Sequence, residues 1–532
     1  MNHNLYAALR AGFPADLDRV AIGAEATDGT LLSYTWRDLE RSSSMIAHLL
    51  IDLGITPGSR VAVHTDKSVE TLILYLAVLR AGLVYVPLNP AYQQSEMDYF
   101  LNNARPSVVV CAERNLSWIG SIAVQAGVGH VFTLNDDRTG TLLNSSAHCS
   151  THPVAVKRSE SDVAAILYTS GTTGRSKGAM LTHGNLLSNA RVLQDYWDWQ
   201  PHDVLIHALP IFHVHGLFVA IHGALLNGST MLWMAKFEPK GVLERLPRAT
   251  VFMGVPTLYT RLLQEPALNH VACASMRLFI SGSAPLRPET FNDWKIRTGH
   301  TILERYGMSE TLMLTSNPCQ AEPGEIEPHR VAGTVGAALP GVGLRIVDEA
   351  GRPAETTQVG HVQVHGPNVF AGYWEMPEKT AEDFVTDEAG QRWFRTGDVG
   401  CIDPKGRLTL IGRSKDLIIS GGFNVYPVEI EGYLNELTGV MESAVIGVPH
   451  PDFGEGVVAV VVPTPQGMPP EASRLQEALK ARIAGFKVPR EIIVLARGEE
   501  LPRNAMGKVQ KNVLRERYAR LFPAPSSHPE RS

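Results

Sequence analysis

The stretch LYTSGTTGRSKGAMLTHGN, residues 167–185, decides how the chain is read. An apolar run, Ala164–Tyr168, reads as a buried strand and leads into Thr169, Ser170, Gly171, Thr172, Thr173, Gly174, Arg175, Ser176, Lys177 and Gly178. A helix is expected to follow, with helical spacing over Thr182–Tyr196. The glycines let the backbone bend until successive N–H groups point at one anion. The hydroxyls of Thr169, Ser170, Thr172, Thr173 and Ser176, with the cations Arg175 and Lys177, add donors for phosphate oxygens. Strand, glycine-rich turn and helix in this order predict a phosphate-binding loop. It is not a Walker loop, because the second glycine of G-x-x-x-x-G-K-[ST] would fall on Ser176 or Ala179. The dinucleotide pattern G-x-G-x-x-G is absent here too.

Outward from this loop, strand-like runs at Arg60–His64, Ser107–Cys111, Val204–Ala208, Thr250–Met253 and Arg277–Ser281 alternate with helical spacing. The helical segments are Ser68–Ala81, Ser95–Asn103 and Pro256–Leu263. Such alternation predicts an α/β fold, βαβ units in mostly parallel sheets with helices on their faces. After about Gly341 the helices thin out, and Leu344–Val347, His361–His365 and Leu408–Ile411 predict a β-rich subdomain. From Lys415 a helix at Pro427–Leu437, strands at Ser443–Val448 and Val457–Val462, a helix at Ala472–Ile483 and a strand at Glu491–Leu495 predict a small α+β domain. The expected division is a large domain 1–414 (β-rich from about 341), a small mobile lid domain 415–520 and a disordered tail 521–532.

With 532 residues the chain is too long for one core, and its 19% charged residues are ordinary for a globular protein. A net charge of −6 gives no electrostatic reason to bind nucleic acid or an acidic membrane surface. The five cysteines (Cys111, Cys149, Cys273, Cys319, Cys401) show no metal-ligand spacing and read as reduced thiols. Neither end carries a recognisable targeting pattern, so a cytoplasmic location is expected. The apolar stretch from Val204 to Met234 is divided by His207, Pro210, His213, His215, His222 and Asn227. It predicts a buried strand-helix-strand unit and no membrane span.

The phosphate loop resembles the signature of the adenylate-forming superfamily: acyl-CoA synthetases, peptide-synthetase adenylation domains and luciferases. The resemblance covers nearly the whole chain, because the family's other motifs follow in order. Ser281-Gly282-Ser283-Ala284-Pro285 matches the segment that lines adenine. Glu304-Arg305-Tyr306-Gly307-Met308-Ser309-Glu310-Thr311 matches the motif in which the Tyr packs on adenine, the hydroxyl residue (more often Thr, here Ser309) touches the α-phosphate, and the Glu holds Mg²⁺. Phe394-Arg395-Thr396-Gly397-Asp398 matches the ribose segment, with Asp398 on the hydroxyls and Arg413 joining from Gly412-Arg413-Ser414-Lys415-Asp416. Lys415 matches the hinge, Ser420-Gly421-Gly422 the loop facing CoA, and Pro502–Lys508 the motif of the catalytic lysine. The resemblance implies ATP and CoA as co-substrates and Mg²⁺ as cofactor. A carboxylate attacks the α-phosphorus, pyrophosphate leaves, and CoA thiolate takes the acyl group from AMP, with Lys508 and the Glu310-bound ion supplying positive charge.

Ile211-Phe212-His213-Val214-His215-Gly216-Leu217 lies where the family places the acyl-pocket wall, which gives His213 a gating or packing role and sets it with Lys508 and Glu310 among the catalytic candidates. This segment, Trp233–Phe237 and ERYGMSETLMLTSNP resemble malonyl-CoA synthetases more than fatty-acyl or aryl ligases. A malonate dianion needs a cation for its distal carboxylate. Lys236 is the first candidate and Arg287 the second, with Met308 also near the acid. The alternative is a short- or medium-chain fatty-acyl or arylpropenoate CoA ligase. A nucleotide sensor without catalysis would be expected to lose Lys508 or Glu310, and both are present. The sequence gives no indication of oligomeric state.

Overall fold

Short apolar runs separated by helical spacing assemble into parallel-stranded sheets. The computed structural model describes residues 2–26, 29–169, 176–321, 325, 328–421, 423–504 and 508–522. The chain divides into two compact units. The first takes the chain to Leu344 with Val364–Phe394 and Lys405–Leu408. The second takes Arg345–Gln363, Arg395–Pro404 and the chain from Thr409 on, so the division runs through the β-rich stretch 341–414.

The first unit contains a nine-stranded sheet in the order Ala337–Ala338, Leu312–Ser316, Ile302–Met308, Leu278–Ser281, Val251–Gly254, Val204–His207, Thr230–Trp233, Val20–Glu25 and Leu31–Thr35. Pairings from Ile302–Met308 through Val20–Glu25 are parallel, and those at both edges are antiparallel. A seven-stranded sheet runs Gly372–Tyr373, Lys177–Thr182, Val163–Thr169, Val84–Pro87, Arg60–His64, Val108–Cys111 and His130–Thr133. It is parallel from Val163–Thr169 onward. Both sheets fit the α/β expectation.

One local expectation is corrected. The phosphate loop does not run into a helix. It joins two antiparallel strands, with Thr169 opposite Lys177 and Tyr168 opposite Gly178. Lys177 and Gly178 therefore belong to a strand, and the helix His183–Tyr196 begins only after Thr182, whose hydroxyl caps it by accepting from Asn185 N. The strand Lys177–Thr182 is short and has glycine as its second residue, which hid its alternation.

Helix Val69–Arg80 shows why some runs are apolar all round. Every residue in it is buried, and its N-cap Ser68 accepts from Thr71 N. Its two charged ends are satisfied internally. Glu70 accepts from Tyr34 Oη at 2.5 Å, and Arg80 donates to Tyr6 Oη at 2.7 Å and Ser43 Oγ at 3.0 Å. Residues 204–233 form the expected buried unit: strand Val204–His207, a π-helical turn His215–Ile221 continuing into helix His222–Leu226, and strand Thr230–Trp233. Among the described residues no helix is long and apolar enough to cross a membrane.

The second unit carries the strands Phe423–Val425, Ile418–Ser420, Gly454–Pro463, Val440–His450 and Glu491–Val494 in one sheet. Val457, Ala459 and Val461 pack into one apolar cluster, while Val458, Val460 and Val462 pack into the other. The unbroken apolar run 457–462 thus serves two covered faces. Of the expected tail, Leu521 and Phe522 pack against the second cluster, with the Phe522 ring 4.7 Å from that of His450. Residues 523–532 lie outside the described residues.

In the first unit, Trp294 is fully buried and meets Tyr259 and Phe279 edge-on at 5.0 and 4.9 Å. Trp294→Ala is expected to cost about 3–5 kcal/mol, read as a lower denaturant midpoint.

Candidate functional site

Parallel strands deliver their carboxyl ends to one edge of a sheet, where ligands of open α/β sheets bind. In the nine-stranded sheet that edge presents His207, Trp233, Gly254, Ser281 and the turn after Ile302–Met308. Glu304 and Arg305 are consecutive on that last strand. Successive strand residues face opposite sides, so the two charges cannot neutralise each other.

Arg305 is 2% exposed, and its Nε and Nη2 have no hydrogen-bond partner among the described residues. The guanidinium rests on the backbone of Gly282, where an added Cβ would lie 2.6 Å from its Cζ. Burial pulls its pKa down to about 9, which leaves it a cation at neutral pH. His215 is buried beside it, and its Nδ1 lies 3.3 Å from Ser283 Oγ. Burial first, then the charge of Arg305, holds His215 well below the usual histidine range. Ser283 adopts φ 72, a strained conformation for a residue with a side chain. On the opposite face, Glu304 accepts from Leu286 N at 2.9 Å through Oε1, and Oε2 has no partner among the described residues. Burial pushes its pKa up to about 8.

A half-buried cation escaped the sequence reading. Lys67 follows the strand Arg60–His64 of the seven-stranded sheet and donates to His207 O at 2.9 Å and Met234 O at 2.7 Å. Its Nζ lies 4.6 Å over the Trp233 ring, which stacks on His207. Burial holds its pKa well below the usual lysine range. The carbonyls at two strand ends attract it, a signal invisible in its own neighbourhood of the sequence.

The residues matched to the phosphate motifs, Thr169, Lys177 and Glu310, lie near one another. Thr169 Oγ1 donates to Glu310 Oε1 at 3.3 Å, and Tyr373 Oη donates to the same oxygen at 3.2 Å. Lys177 Nζ lies 3.7 Å from Asp383 Oδ2 and 4.5 Å over the Tyr373 ring. Ser170, Gly171, Thr172, Thr173 and Gly174 lie outside the described residues. Gly307 admits no side chain, since a Cβ there would fall 2.0 Å from Leu312 O. That glycine lets the chain turn between Tyr306, which is buried, and Glu310.

Other expected residues sit apart from this constellation or at its rim. Lys236 is exposed just past Thr230–Trp233, and Arg287 is half-buried ahead of helix Pro288–Thr298. Ala284 and Pro285 are exposed, while Met308, Ser309 and His213 are half-buried. His213 Nδ1 accepts from His215 N at 3.2 Å.

In the second unit, Asp398 is buried and pairs with Arg413, Nε to Oδ1 2.6 Å. Gly397 between them and Thr396 has φ 73, and Ser414 Oγ donates to Gly397 O at 2.8 Å. Lys415 is exposed and Ser420 buried. Gly421 (φ 58) donates its N–H to Phe453 O at 2.9 Å, while Gly422 lies outside the described residues. Lys508 is exposed, and its backbone is held at both groups by Asn504: Lys508 N to Asn504 Oδ1 3.0 Å, Asn504 N to Lys508 O 2.9 Å.

These features define an enzyme of nucleotide-dependent acyl activation, and the chain belongs to the AMP-binding enzyme family. The family pattern matches residues 15–374, and the family's C-terminal domain matches residues 429–508. The chain is 31% identical to a malonate–CoA ligase of Arabidopsis thaliana, covering 94% of this chain and 86% of the relative. It is 33% identical to the mitochondrial malonate–CoA ligase ACSF3 of Mus musculus, covering 92% and 87%. The crystal structure of ATP-bound MatB from Rhodopseudomonas palustris superposes with a TM-score of 0.92 at 49% identity, covering 98% of this chain and 100% of that one.

Glu304 has a consequence for stability. The fold raises its pKa from 4.5 to about 8, so the folded chain holds a proton that the unfolded chain releases. The stability this gives is fully present below about pH 4.5 and is lost as pH rises toward about 8. Glu304→Gln, which cannot ionise, is expected to flatten the fall in melting temperature between about pH 5 and about pH 8. Parallel melting curves for parent and variant across that range would refute the assignment.

Proposed function

We propose that the chain ligates malonate to coenzyme A in two steps, through a malonyl adenylate, releasing pyrophosphate and then AMP. The observation that carries the acid's identity is Arg305. A buried guanidinium with open donors and no carboxylate beside it among the described residues is costly unless an anion completes it. A dicarboxylic acid supplies that anion at one end and a nucleophile at the other. This moves the distal-carboxylate cation from Lys236 or Arg287 to Arg305, and takes Arg305 from the nucleotide to the acid. The similarity to two malonate–CoA ligases supports the same acid.

In the first step one carboxylate oxygen attacks the α-phosphorus of ATP and pyrophosphate leaves. Arg305 holds the far carboxylate by paired N–H donors, with His215, neutral at pH 7, and Ser283 as further polar neighbours. This orients the near carboxylate toward phosphorus. Thr169, Lys177 and the intervening loop hold the departing phosphates, Tyr306 packs on adenine, and Asp398 and Arg413 bind ribose. Lys508 stabilises negative charge on the α-phosphate. Glu310 would hold Mg²⁺, and its surroundings fit: one buried carboxylate with Oε1 already engaged by two hydroxyls, leaving the ion to share phosphate oxygens and water. The ion would neutralise phosphate charge. In the second step CoA thiolate attacks the acyl carbonyl and AMP leaves, with Ser420, Gly421 and Gly422 facing the thiol and Lys415 as hinge.

The test is an incubation series of purified protein with ATP, Mg²⁺ and CoA, and malonate, methylmalonate, acetate, octanoate or 4-coumarate, read by chromatography of AMP and acyl-CoA. Turnover with malonate far above the monocarboxylates is expected, and preference for octanoate or 4-coumarate would overturn the reading. Arg305→Met is expected to lower kcat/KM for malonate about 100-fold or more while ATP binding persists. Lys236→Ala is expected to leave malonate kinetics near the parent's.

A further inference from the structure

The segment Asn368–Trp374 belongs to no motif singled out in the sequence, yet it joins the two halves of the phosphate site. Asn368 Nδ2 donates to Thr311 O at 2.7 Å, and Phe370 N donates to Glu310 O at 2.8 Å, so its start is tied to the turn bearing Glu310. Ala371 N donates to Met180 O at 3.0 Å and Trp374 N to Gly178 O at 2.7 Å, so its end is tied to the strand bearing Lys177. Gly372 makes this crossing possible. Its φ is 141, and an added Cβ would lie 2.7 Å from Thr380 Cγ2. Thr380 Oγ1 in turn accepts from Tyr373 N at 2.9 Å, which locks the orientation of the next residue.

That residue is Tyr373, 3% exposed. Its hydroxyl reaches Glu310 Oε1 at 3.2 Å, and its ring lies under the Lys177 ammonium at 4.5 Å. Asp383 holds the same ammonium from the side at 3.7 Å, and is itself paired with Lys379 at 2.9 Å. We propose that Tyr373 is a positioning residue for adenylation: its hydroxyl turns Glu310 so that the other carboxylate oxygen faces the nucleotide's metal ion, and its ring seats Lys177 for the phosphates. The proposal rests on the reading that Glu310 holds the ion and Lys177 the phosphates. A hydroxyl bonded to one oxygen of a ligating carboxylate restrains its rotamer and so the direction in which the other oxygen points. A ring face beneath an ammonium fixes that charge without neutralising it, so it stays available to an anion.

The two functions separate by substitution. Tyr373→Phe removes the hydroxyl and keeps the ring, whereas Tyr373→Leu removes both. Mn²⁺ is titrated onto the full-length protein with ATP and without acid, bound metal is read by electron paramagnetic resonance, and KM values for ATP and malonate are measured at saturating metal. Tyr373→Phe is expected to weaken Mn²⁺ binding about tenfold with both KM values held. Tyr373→Leu is expected to show the same metal loss together with a raised KM for ATP. Mn²⁺ binding by Tyr373→Phe equal to the parent's, or a rise in KM for malonate as large as the metal loss, would overturn the proposal. Glu310→Gln is the companion variant. If it binds Mn²⁺ like the parent, the assignment of the ion to Glu310 falls and this proposal with it. If it loses the metal while Tyr373→Phe does not, only the role of Tyr373 falls.

Discussion

A guanidinium held in the interior with no counter-ion among the described residues is the constraint on which the carboxyl edge of the nine-stranded sheet depends. Desolvating a cation costs several kcal/mol, so the surroundings of Arg305 must be rigid enough to keep it there. Rigidity comes from pairing on both sides of its strand, parallel to Leu278–Ser281 and antiparallel to Leu312–Ser316, with Ser281 registered opposite Glu304 and Gly282 pressed against the guanidinium. The strand's alternation sends Glu304 to the other face, and burial keeps His215 neutral. The positive charge therefore has no compensating carboxylate among the described residues.

The nearby histidines and Lys67 are part of the same electrostatic arrangement. Lys67 draws carbonyl oxygens from the ends of two neighbouring strands and lies over the Trp233 ring, so its charge is solvated by dipoles and a π face. Glycines set the spacing that this requires. At Gly216 a Cβ would lie 2.1 Å from Pro210 O, and at Gly307 2.0 Å from Leu312 O. These close approaches bring the turns bearing His215 and Glu310 into place, and no other residue fits either position without moving backbone.

Much of the fold was legible because buried parallel strands are short apolar runs and amphipathic helices keep their period. The strands at 60–64, 204–207 and 278–281 and the helices at 69–80 and 256–263 agree with the sequence pattern to within a residue or two. The strand Lys177–Thr182 was missed because six residues beside a glycine-rich turn carry too little alternation to tell from the start of a helix. For the site, motif order pointed to Thr169, Lys177 and Glu310, which lie near one another within one unit. It did not point to Tyr373, whose neighbours Glu310 and Lys177 are far from it in sequence.

What the sequence by itself determined is the chemistry: a phosphate loop, the motifs that accompany it in order, and the alternation that makes an α/β sheet. These are local properties, carried by residue type and spacing. Which basic side chain is buried without a partner among the described residues was decided only by the tertiary structure. The sequence put Lys236 first because it follows an apolar strand, and placed Arg305 in the motif matched to the nucleotide. Burial separates them, because Lys236 lies in solvent while Arg305, on the strand Ile302–Met308, is 2% exposed. The free energy of an unmatched charge depends on how much water surrounds it, and that is set by the packing of segments distant in the chain.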